Sequence, residues 1–146
     1  MKAEFVVVDT NVLISARLIA GGVPARVLER LRDQGAQLLF SPATFTELDT
    51  RLRKRKFSRY VSADEIDRFL EALVNVAVLQ EPQIAVTACR DPGDNKFLSL
   101  ALDGEADCLI SGDKDLLVLH PFEDVPVLSP QTFLRLTEAG SAPDSG

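Results

Sequence analysis

The chain alternates between short apolar runs and longer stretches in which apolar residues recur at helical spacing. Its first run, Phe5–Val8, contains three β-branched residues and is short enough for a strand buried on both faces. Similar runs predict further strands at Gln37–Phe40, within Val74–Leu79, at Asp107–Ile110 and at Val125–Leu128. Pro126, in the last of these runs, indicates a strand at the edge of the sheet.

Longer amphipathic stretches separate these runs and predict helices. Apolar residues at helical spacing mark Val12–Ile19 and Ala25–Gln34. Three later helices begin at serine N-cap signals, which are Ser41-Pro42, the capping box from Ser62 to Glu65, and Ser129-Pro130. Turn residues at 91–94 precede a further helix with Asp94 as its N-cap, and residues 116–119 predict a short helical stretch.

Strands that alternate with helices throughout the chain predict an α/β sandwich with a mostly parallel sheet. A length of 146 residues fits one domain whose core is large enough to be stable without disulfides. We expect this domain to cover residues 1–139. The tail at 140–146 has too little apolar content to pack and is predicted to be disordered.

The composition is that of an ordinary soluble globular protein, with 46% hydrophobic and 26% charged residues. No apolar run approaches the ~20 residues that a membrane span requires, so we expect a cytoplasmic protein. Cys89 and Cys108 form no CxxC motif, which favours reduced, structural thiols. The net charge of −6 argues against a protein that coats nucleic acid through a general positive field.

One basic segment departs from this acidic balance. Six cationic residues fall within nine positions, and they are Arg51, Arg53, Lys54, Arg55, Lys56 and Arg59. A run this dense can neutralise several phosphates of a nucleic acid, which makes these residues candidates for RNA binding. The alternative is a solvated helix end, where the helix dipole favours cations.

Four acids share one position relative to the predicted strands. Asp9, Glu47, Asp94 and Asp113 each lie just past a strand end or in the first turns of a helix that follows a turn. Ligands of parallel α/β sheets gather outside the carboxyl ends of the strands. Because right-handed crossovers return every strand in the same direction, we expect the four carboxylates to converge on one edge. For Asp9 taken alone, or for Asn11, the simpler interpretation is a helix cap.

Converging carboxylates repel one another, and a divalent cation removes that repulsion. Oxygen ligands without His or Cys suit hard cations such as Mg²⁺ or Mn²⁺. Two such ions, about 3.5–4 Å apart, can activate a water and hold the leaving oxygen of a phosphodiester. The four acids therefore predict a hydrolytic site that needs no covalent intermediate.

Other chemistries fit the sequence less well. The single histidine, His120, provides no imidazole pair for cleavage of RNA through its own 2′-hydroxyl, and its place beside Pro121 indicates a turn or surface residue. Dinucleotide and P-loop sites would need GxGxxG and GxxxxGK motifs, which the chain lacks. An aspartate-centred phosphotransfer site is a weaker reading, because Asn11 stands where a second acid is expected beside Asp9.

Four motifs, in this order, resemble the PIN-domain family, and within it the bacterial ribonuclease toxins of the VapC type. The motifs are residues 8–13, which include Asp9, residues 41–48 with Glu47, residues 91–101 with Asp94, and residues 109–117 with Asp113. Through their order and separations, the resemblance covers residues 4 to about 136. Each motif alone is weak, whereas four in order are a specific signal.

The resemblance implies a three-layer α/β/α sandwich around a sheet of about five parallel strands. It implies that catalysis and binding of Mg²⁺ or Mn²⁺ belong to Asp9, Glu47, Asp94 and Asp113. It further implies polar supporting roles for Thr10, Asn11, Ser111 and Asp115. Turn or cap roles remain open for Asp115 and for Asp91.

The same resemblance implies cleavage of single-stranded RNA, homodimerisation, and neutralisation by a cognate antitoxin that is a separate protein. The favoured hypothesis is thus a metal-dependent endoribonuclease that is the toxin of a toxin–antitoxin pair. The alternative is a PIN-fold module that binds RNA or a protein without significant catalysis. An inactive relative would be expected to lose one of the four acids, and this chain retains all of them.

Overall fold

The computed structural model describes residues 1–138, so the predicted disordered tail at 140–146 lies outside the described residues. The strands are β1 (Phe5–Val8), β2 (Gln37–Phe40), β3 (Ala77–Leu79), β4 (Cys108–Ile110) and β5 (Val127–Leu128). The α-helices of the described residues are α1 (Thr10–Leu18), α2 (Val23–Asp33), α3 (Pro42–Leu52), α4 (Ala63–Val74), α5 (Asn95–Asp103), α6 (Lys114–Leu117) and α7 (Pro130–Leu136).

The strands form one sheet in the order β3-β2-β1-β4-β5, and every neighbouring pair is parallel. Strand β1 lies in the centre, where Val6 pairs with Leu38 of β2 and with Cys108 of β4. The predicted parallel sheet of about five strands is confirmed. Strand β5 lies at an edge, as Pro126 indicates.

Alternation along the strands divides the apolar core into two layers. Successive residues of a strand point to opposite faces, so Val6 and Val8 lie in one layer and Val7 in the other. The first layer packs against helices α1, α2, α3, α4 and α7, and the second packs against α5 and α6. This is the expected three-layer α/β/α sandwich, with the carboxyl ends of all strands at one edge.

The predicted starts of α3, α4 and α7 are confirmed. The hydroxyl oxygens of Ser41, Ser62 and Ser129 accept backbone N–H bonds of their own helices at 3.1 Å. Ser62 and Glu65 complete the predicted capping box, in which Glu65 Oε1 accepts from Ser62 N at 2.9 Å. The cap at Ser41 fixes the start of α3 and so places Glu47, one of the four predicted acids, in the second turn of this helix.

Asp94 occupies the predicted N-cap position of α5, but its side chain makes no capping hydrogen bond. Residues Pro92–Asp94 form a short 3₁₀ helix, whose N-cap is Asp91, with its Oδ1 accepting from Gly93 N at 3.0 Å. Helix α5 then follows without a capping bond from the Asp94 side chain. The proline and glycine of the turn thus continue into a helical turn, which frees the carboxylate of Asp94 for other contacts.

Two other helices begin earlier than their apolar spacing predicts. Helix α1 begins at Thr10 and α6 at Lys114, each directly after an aspartate that caps it. A cap extends a helix towards its polar N-terminal residues, which apolar periodicity does not detect. In residues 1–138, no single helix is long and apolar enough to cross a membrane, and only α1 and α2 taken together, bent by 101°, pass that test.

Candidate active site

The four predicted acids lie at the carboxyl edge of the sheet. Asp9 follows the central strand β1, Glu47 lies in α3 after β2, and Asp113 follows β4. Asp94 precedes α5, which packs on the second face of the sheet. The charges of Glu47 and Asp113 both act on Asp9, and the charges of Asp9 and Asp113 act on Asp94. The convergence expected from the topology is therefore present.

Asp9 is the most enclosed of these acids, with 3% of its surface exposed. Its Oδ1 accepts from Asn11 N at 3.1 Å, and its Oδ2 accepts from the Ser111 hydroxyl at 2.6 Å. Burial raises the pKa of Asp9 above its usual range, and these two hydrogen bonds oppose the rise in part. The cap interpretation of Asp9 is confirmed, because the same carboxylate both caps α1 and faces the other acids.

A chain of hydrogen bonds continues from Ser111 along the loop after β4. The hydroxyl of Ser111 accepts from Asp113 N at 3.0 Å, and Asp113 Oδ1 accepts from Asp115 N at 2.8 Å. Ser111 thereby connects Asp9, which follows β1, to Asp113 on the neighbouring loop. Asp115 contributes to this loop through its backbone, as the N2 residue of α6.

A cluster of three acids forms the open part of the site. One carboxylate oxygen each from Asp91, Asp94 and Asp113 lies within 4.8 Å of the others. Among the described residues, Asp94 Oδ2 is a buried oxygen without a hydrogen-bond partner. Burial, a hydrogen bond shared with Asp113, and the charges of Asp113, Asp9 and Asp91 raise the pKa of Asp94 to about 7.

These features fit a hard divalent cation. The donors are all carboxylate oxygens, which Mg²⁺ and Mn²⁺ prefer. A buried polar atom without a partner is costly, and a bound cation would provide the missing partner for Asp94 Oδ2. The cation would also remove the repulsion that raises the pKa of Asp94.

Glu47 has a different environment from these acids. Its Oε1 accepts from the Thr10 hydroxyl at 2.6 Å, and its Oε2 lies 2.9 Å from Lys96 Nζ and 3.4 Å from Arg51 Nη2. Burial alone would raise the pKa of Glu47, but these hydrogen bonds and positive charges outweigh it and lower the pKa. Arg51 also donates to Asn11 Oδ1 at 3.0 Å, which ties α3 to the start of α1.

A family model described as the PIN domain matches residues 5–115 of the chain. The chain belongs to the PIN-domain family. This PIN domain is 34% identical over 116 residues to an uncharacterized protein of Methanocaldococcus jannaschii, MJ1680, a match that covers 79% of this chain and 74% of that protein. PIN domains are generally nucleases and typically use divalent metals, and the three-acid cluster agrees with both properties.

The fold of this PIN domain is also similar to that of a solved structure, the crystal structure of PAE2754 from Pyrobaculum aerophilum. The TM-score is 0.60, with 16% sequence identity, and the match covers 94% of this chain and 96% of that chain. At so low an identity, the similarity supports the three-layer fold and carries no residue assignment.

Two residues at the site of this PIN domain were missed or left open by sequence reasoning. Lys96 was not singled out, although a lysine in the first turn of a helix is disfavoured by the helix dipole and so calls for an explanation. Its ammonium group pairs with Glu47 and donates to the carbonyl of Gly93. For Asp91 the sequence permits either a turn role or a site role. In the structure Asp91 caps the 3₁₀ helix and also belongs to the acid cluster.

The basic run divides into parts with different surroundings. Arg51 contacts Glu47 and Asn11, whereas Arg53 pairs with Asp49 at 2.6 Å and Asp67 at 2.5 Å. Helix α3 ends at Leu52, so the alternative of cations at a helix end applies only to the start of the run. The four remaining cations, Lys54, Arg55, Lys56 and Arg59, are exposed.

Proposed function

We propose that this PIN domain is an endoribonuclease that cleaves single-stranded RNA in a reaction dependent on Mg²⁺ or Mn²⁺. The observation that carries the proposal is the cluster of Asp91, Asp94 and Asp113, in which one buried oxygen of Asp94 has no hydrogen-bond partner within residues 1–138. Such a site is short of positive charge and is built from the ligands of a hard cation. Because PIN domains are generally nucleases, we infer that the cation takes part in cleavage of a phosphodiester.

Asp94 and Asp113, with Asp9 and Asp91 beside them, would hold the metal. When bound, a divalent cation would supply Lewis acidity, lowering the pKa of an attacking water and neutralising charge on the phosphodiester. Asp9 is held in one orientation by two hydrogen bonds, so its carboxylate needs little reorganisation when the site is used. Its enclosure also disfavours the phosphotransfer alternative, because a nucleophile needs access to the phosphorus atom.

Glu47 has a second role in this proposal. Its ion pairs hold Lys96 and Arg51 at the rim of the cleft, where their positive charge can act on an anionic backbone. Thr10 fixes the other oxygen of the same carboxylate. Glu47 would thus position two cations for the substrate, beside any contribution that it makes to the metal.

The biological role that we propose is that of a toxin neutralised by a separate antitoxin, acting in the cytoplasm as a homodimer. The support for it is the resemblance of the four motifs to VapC-type toxins. Induced expression should then stop growth, and expression of Asp94→Asn should not. Light scattering of the purified protein should give twice the mass of one chain.

The test of the catalytic proposal is cleavage of a mixed-sequence single-stranded RNA by purified protein with Mg²⁺, with Mn²⁺ and with chelator. We expect cleavage that needs metal and that is lost in Asp94→Asn. The matched control is Asp33→Asn, because Asp33 ends α2 near the start of β2, at the opposite edge of the sheet. Single-stranded DNA of the same sequence tests the preference for RNA.

A different result would favour the second hypothesis of a binding module. RNA that stays intact in every metal, together with absence of metal binding by calorimetry, would contradict the nuclease proposal. Loss of activity in Asp33→Asn as well would show that the substitutions act through stability and not through the site.

A further inference from the structure

A groove with a volume of about 650 Å³ lies next to the acid cleft, the name used here for the space beside Asp9, Glu47, Asp94 and Asp113. One side comes from α1 and its C-cap residue, where the apolar Ile14, Leu18 and Ile19 lie together with the polar Asn11 and Ser15. The other side comes from the end of α3 and the segment that follows it, and consists of Arg51, Lys54, Lys56, Phe57 and Tyr60. The groove therefore has a mainly apolar wall and a cationic and aromatic wall.

The groove adjoins a second cavity, which is lined by two of the acids. A smaller cavity of about 340 Å³ is lined by Asp9 and Asp113, and Asn11 and Ser15 line both that cavity and the groove. Arg51 spans the junction, because it contacts Asn11 and Glu47 and also lines the groove. A polymer bound at the acids can thus extend directly into the groove.

The charge of the groove is opposite to that of the protein as a whole. The chain has a net charge of −6, yet the charged side chains that line the groove within the described residues are all cations. These cations are Arg51, Lys54 and Lys56. Arg53, from the same segment, does not line the groove and pairs with Asp49 and Asp67. The local field therefore favours an anionic occupant.

Flat apolar surface accompanies these cations. Tyr60 is 65% exposed and Ile19 is 59% exposed, although both are large side chains. Phe57 also lines the groove, and Lys56 Nζ lies 5.1 Å from the centroid of its ring. Cations interleaved with exposed aromatic rings are the features with which proteins bind single-stranded nucleic acids, by pairing phosphates and stacking bases.

We propose that this groove binds the RNA strand that extends from the acid cleft, with a base stacked on Tyr60 and phosphates paired with Lys54 and Lys56. The proposal rests on the proposed function for its polymer and adds a binding subsite outside the metal-binding acids. An RNA strand accounts for both walls, because its backbone is anionic and each base has an apolar face. A duplex has no free base faces, so the subsite selects single strands.

The composition of the chain provides a direct probe of this subsite. Tyr60 is the only tyrosine, and the chain has no tryptophan, so its intrinsic fluorescence reports Tyr60. Mixed-sequence single-stranded RNA is added to Asp94→Asn, which leaves the RNA uncleaved. We expect quenching of the tyrosine emission at saturation, after correction with the same RNA added to N-acetyltyrosinamide. Inorganic polyphosphate, which has charge but no bases, should bind without quenching.

Affinity measurements in the Asp94→Asn background separate stacking from charge. Tyr60→Ala should weaken RNA binding roughly 10- to 100-fold, and Tyr60→Phe, which keeps the ring, should restore it. Lys54→Ala and Lys56→Ala should each reduce the slope of log affinity against log salt by about one, the change for one lost phosphate contact. The matched control is Arg68→Ala, which removes an exposed cation of α4 that is outside the basic run and does not line the groove.

The outcomes distinguish this proposal from the one on which it rests. Hydrolysis of bis(p-nitrophenyl) phosphate by the wild type in Mn²⁺ reports the acid site alone, because this small diester does not need the groove. Hydrolysis without tyrosine quenching by RNA would overturn the groove and retain the nuclease. Quenching of the tyrosine emission by RNA, without hydrolysis of the diester, would support the groove proposal and contradict the nuclease proposal. RNA that leaves the emission unchanged, with equal affinity in Tyr60→Ala, would point instead to a protein segment as the occupant.

Discussion

The two sides of the acid cleft satisfy their carboxylates in opposite ways. On one side, Glu47 receives a hydroxyl and two cationic side chains, and its pKa is lowered although it is partly buried. On the other side, Asp94 faces further carboxylates, and its pKa is raised to about 7. Since burial raises the pKa on both sides, the opposite outcomes come from their neighbours.

This difference shows where the protein provides its own counter-charge and where it needs one from solution. Lys96 and Arg51 neutralise Glu47, so that side is complete in the folded chain. Within residues 1–138, no lysine or arginine forms an ion pair with Asp91, Asp94 or Asp113. A mobile divalent ion therefore gains most by binding beside Asp94, and least by displacing Lys96 from Glu47.

The largest effect that we expect from this comparison is on metal affinity. Asp94→Asn and Asp113→Asn should each weaken Mn²⁺ binding by more than the ~10- to 100-fold that is typical of residues supporting a ligand. Glu47→Gln should weaken it by roughly 10-fold or less, because its oxygens are already engaged. Isothermal titration calorimetry of the three variants and of Asp33→Asn measures these changes.

An equal loss of affinity in Glu47→Gln and Asp94→Asn would contradict this difference between the two sides of the site. Glu47 would then be a direct ligand, as the motif resemblance implies, and Lys96 would have to leave it when metal binds. Circular dichroism of the metal-free variants checks that each affinity refers to folded protein.

The next largest effect concerns the pH dependence of stability. The folded protein holds the proton of Asp94 up to about pH 7, whereas an unfolded aspartate releases it near its ordinary pKa of 3.8. In that window the folded state binds more protons, so this group destabilises the fold progressively as the pH rises. Asp94→Asn removes the titration. In chelator, its melting temperature should therefore rise relative to the wild type between pH 5 and pH 8.

Metal provides the control for this pH experiment. Saturating Mn²⁺ should reverse the order at pH 8, because it stabilises the wild-type protein and binds the variant weakly. Glu47 contributes with the opposite sign, since its lowered pKa gives stability that is lost only in acid, below that window. Parallel melting curves of wild type and Asp94→Asn across the whole range would show that Asp94 carries no shifted proton.

Sequence reasoning located the acids but not Lys96, the counter-ion of Glu47 from a distant element, and the reason lies in sequence distance. Strand ends and helix caps are local signals, so Asp9, Glu47 and Asp113 could be placed at one edge from neighbouring residues and the parallel topology. The pairs of Glu47 with Lys96 and of Asn11 with Arg51 join elements that are far apart in the chain. Local patterns do not determine which long side chains will meet after folding.

The same limit explains why the basic run could not be resolved. Its composition indicates an RNA-binding segment, but which cation faces the groove depends on where α3 ends and on the turn at Arg55–Phe57. Arg53 turns towards Asp49 and Asp67, whereas Lys54 and Lys56 line the groove. Tyr60 gained significance only when the fold placed it opposite α1.

The smallest effect that we expect concerns the ion pair of Lys96 with Glu47. Lys96→Met keeps the length of the side chain and removes its charge, which leaves a largely buried carboxylate with one donor fewer. We expect a loss of ~1–2 kcal/mol in the free energy of unfolding at neutral pH, from urea denaturation. Arg53→Met is the matched control, because its partners are exposed, and we expect less than ~1 kcal/mol.

A double-mutant cycle then assigns the loss to the pair. If Lys96 acts through Glu47, the effect of Lys96→Met should nearly vanish in a Glu47→Gln background, since the neutral amide no longer needs a cation. The same two substitutions should change metal affinity additively if the cation neutralises Glu47 alone. A coupling in metal affinity as large as the coupling in stability would mean that Lys96 also restrains the Asp94 side, and that the cleft titrates as one unit and not as two.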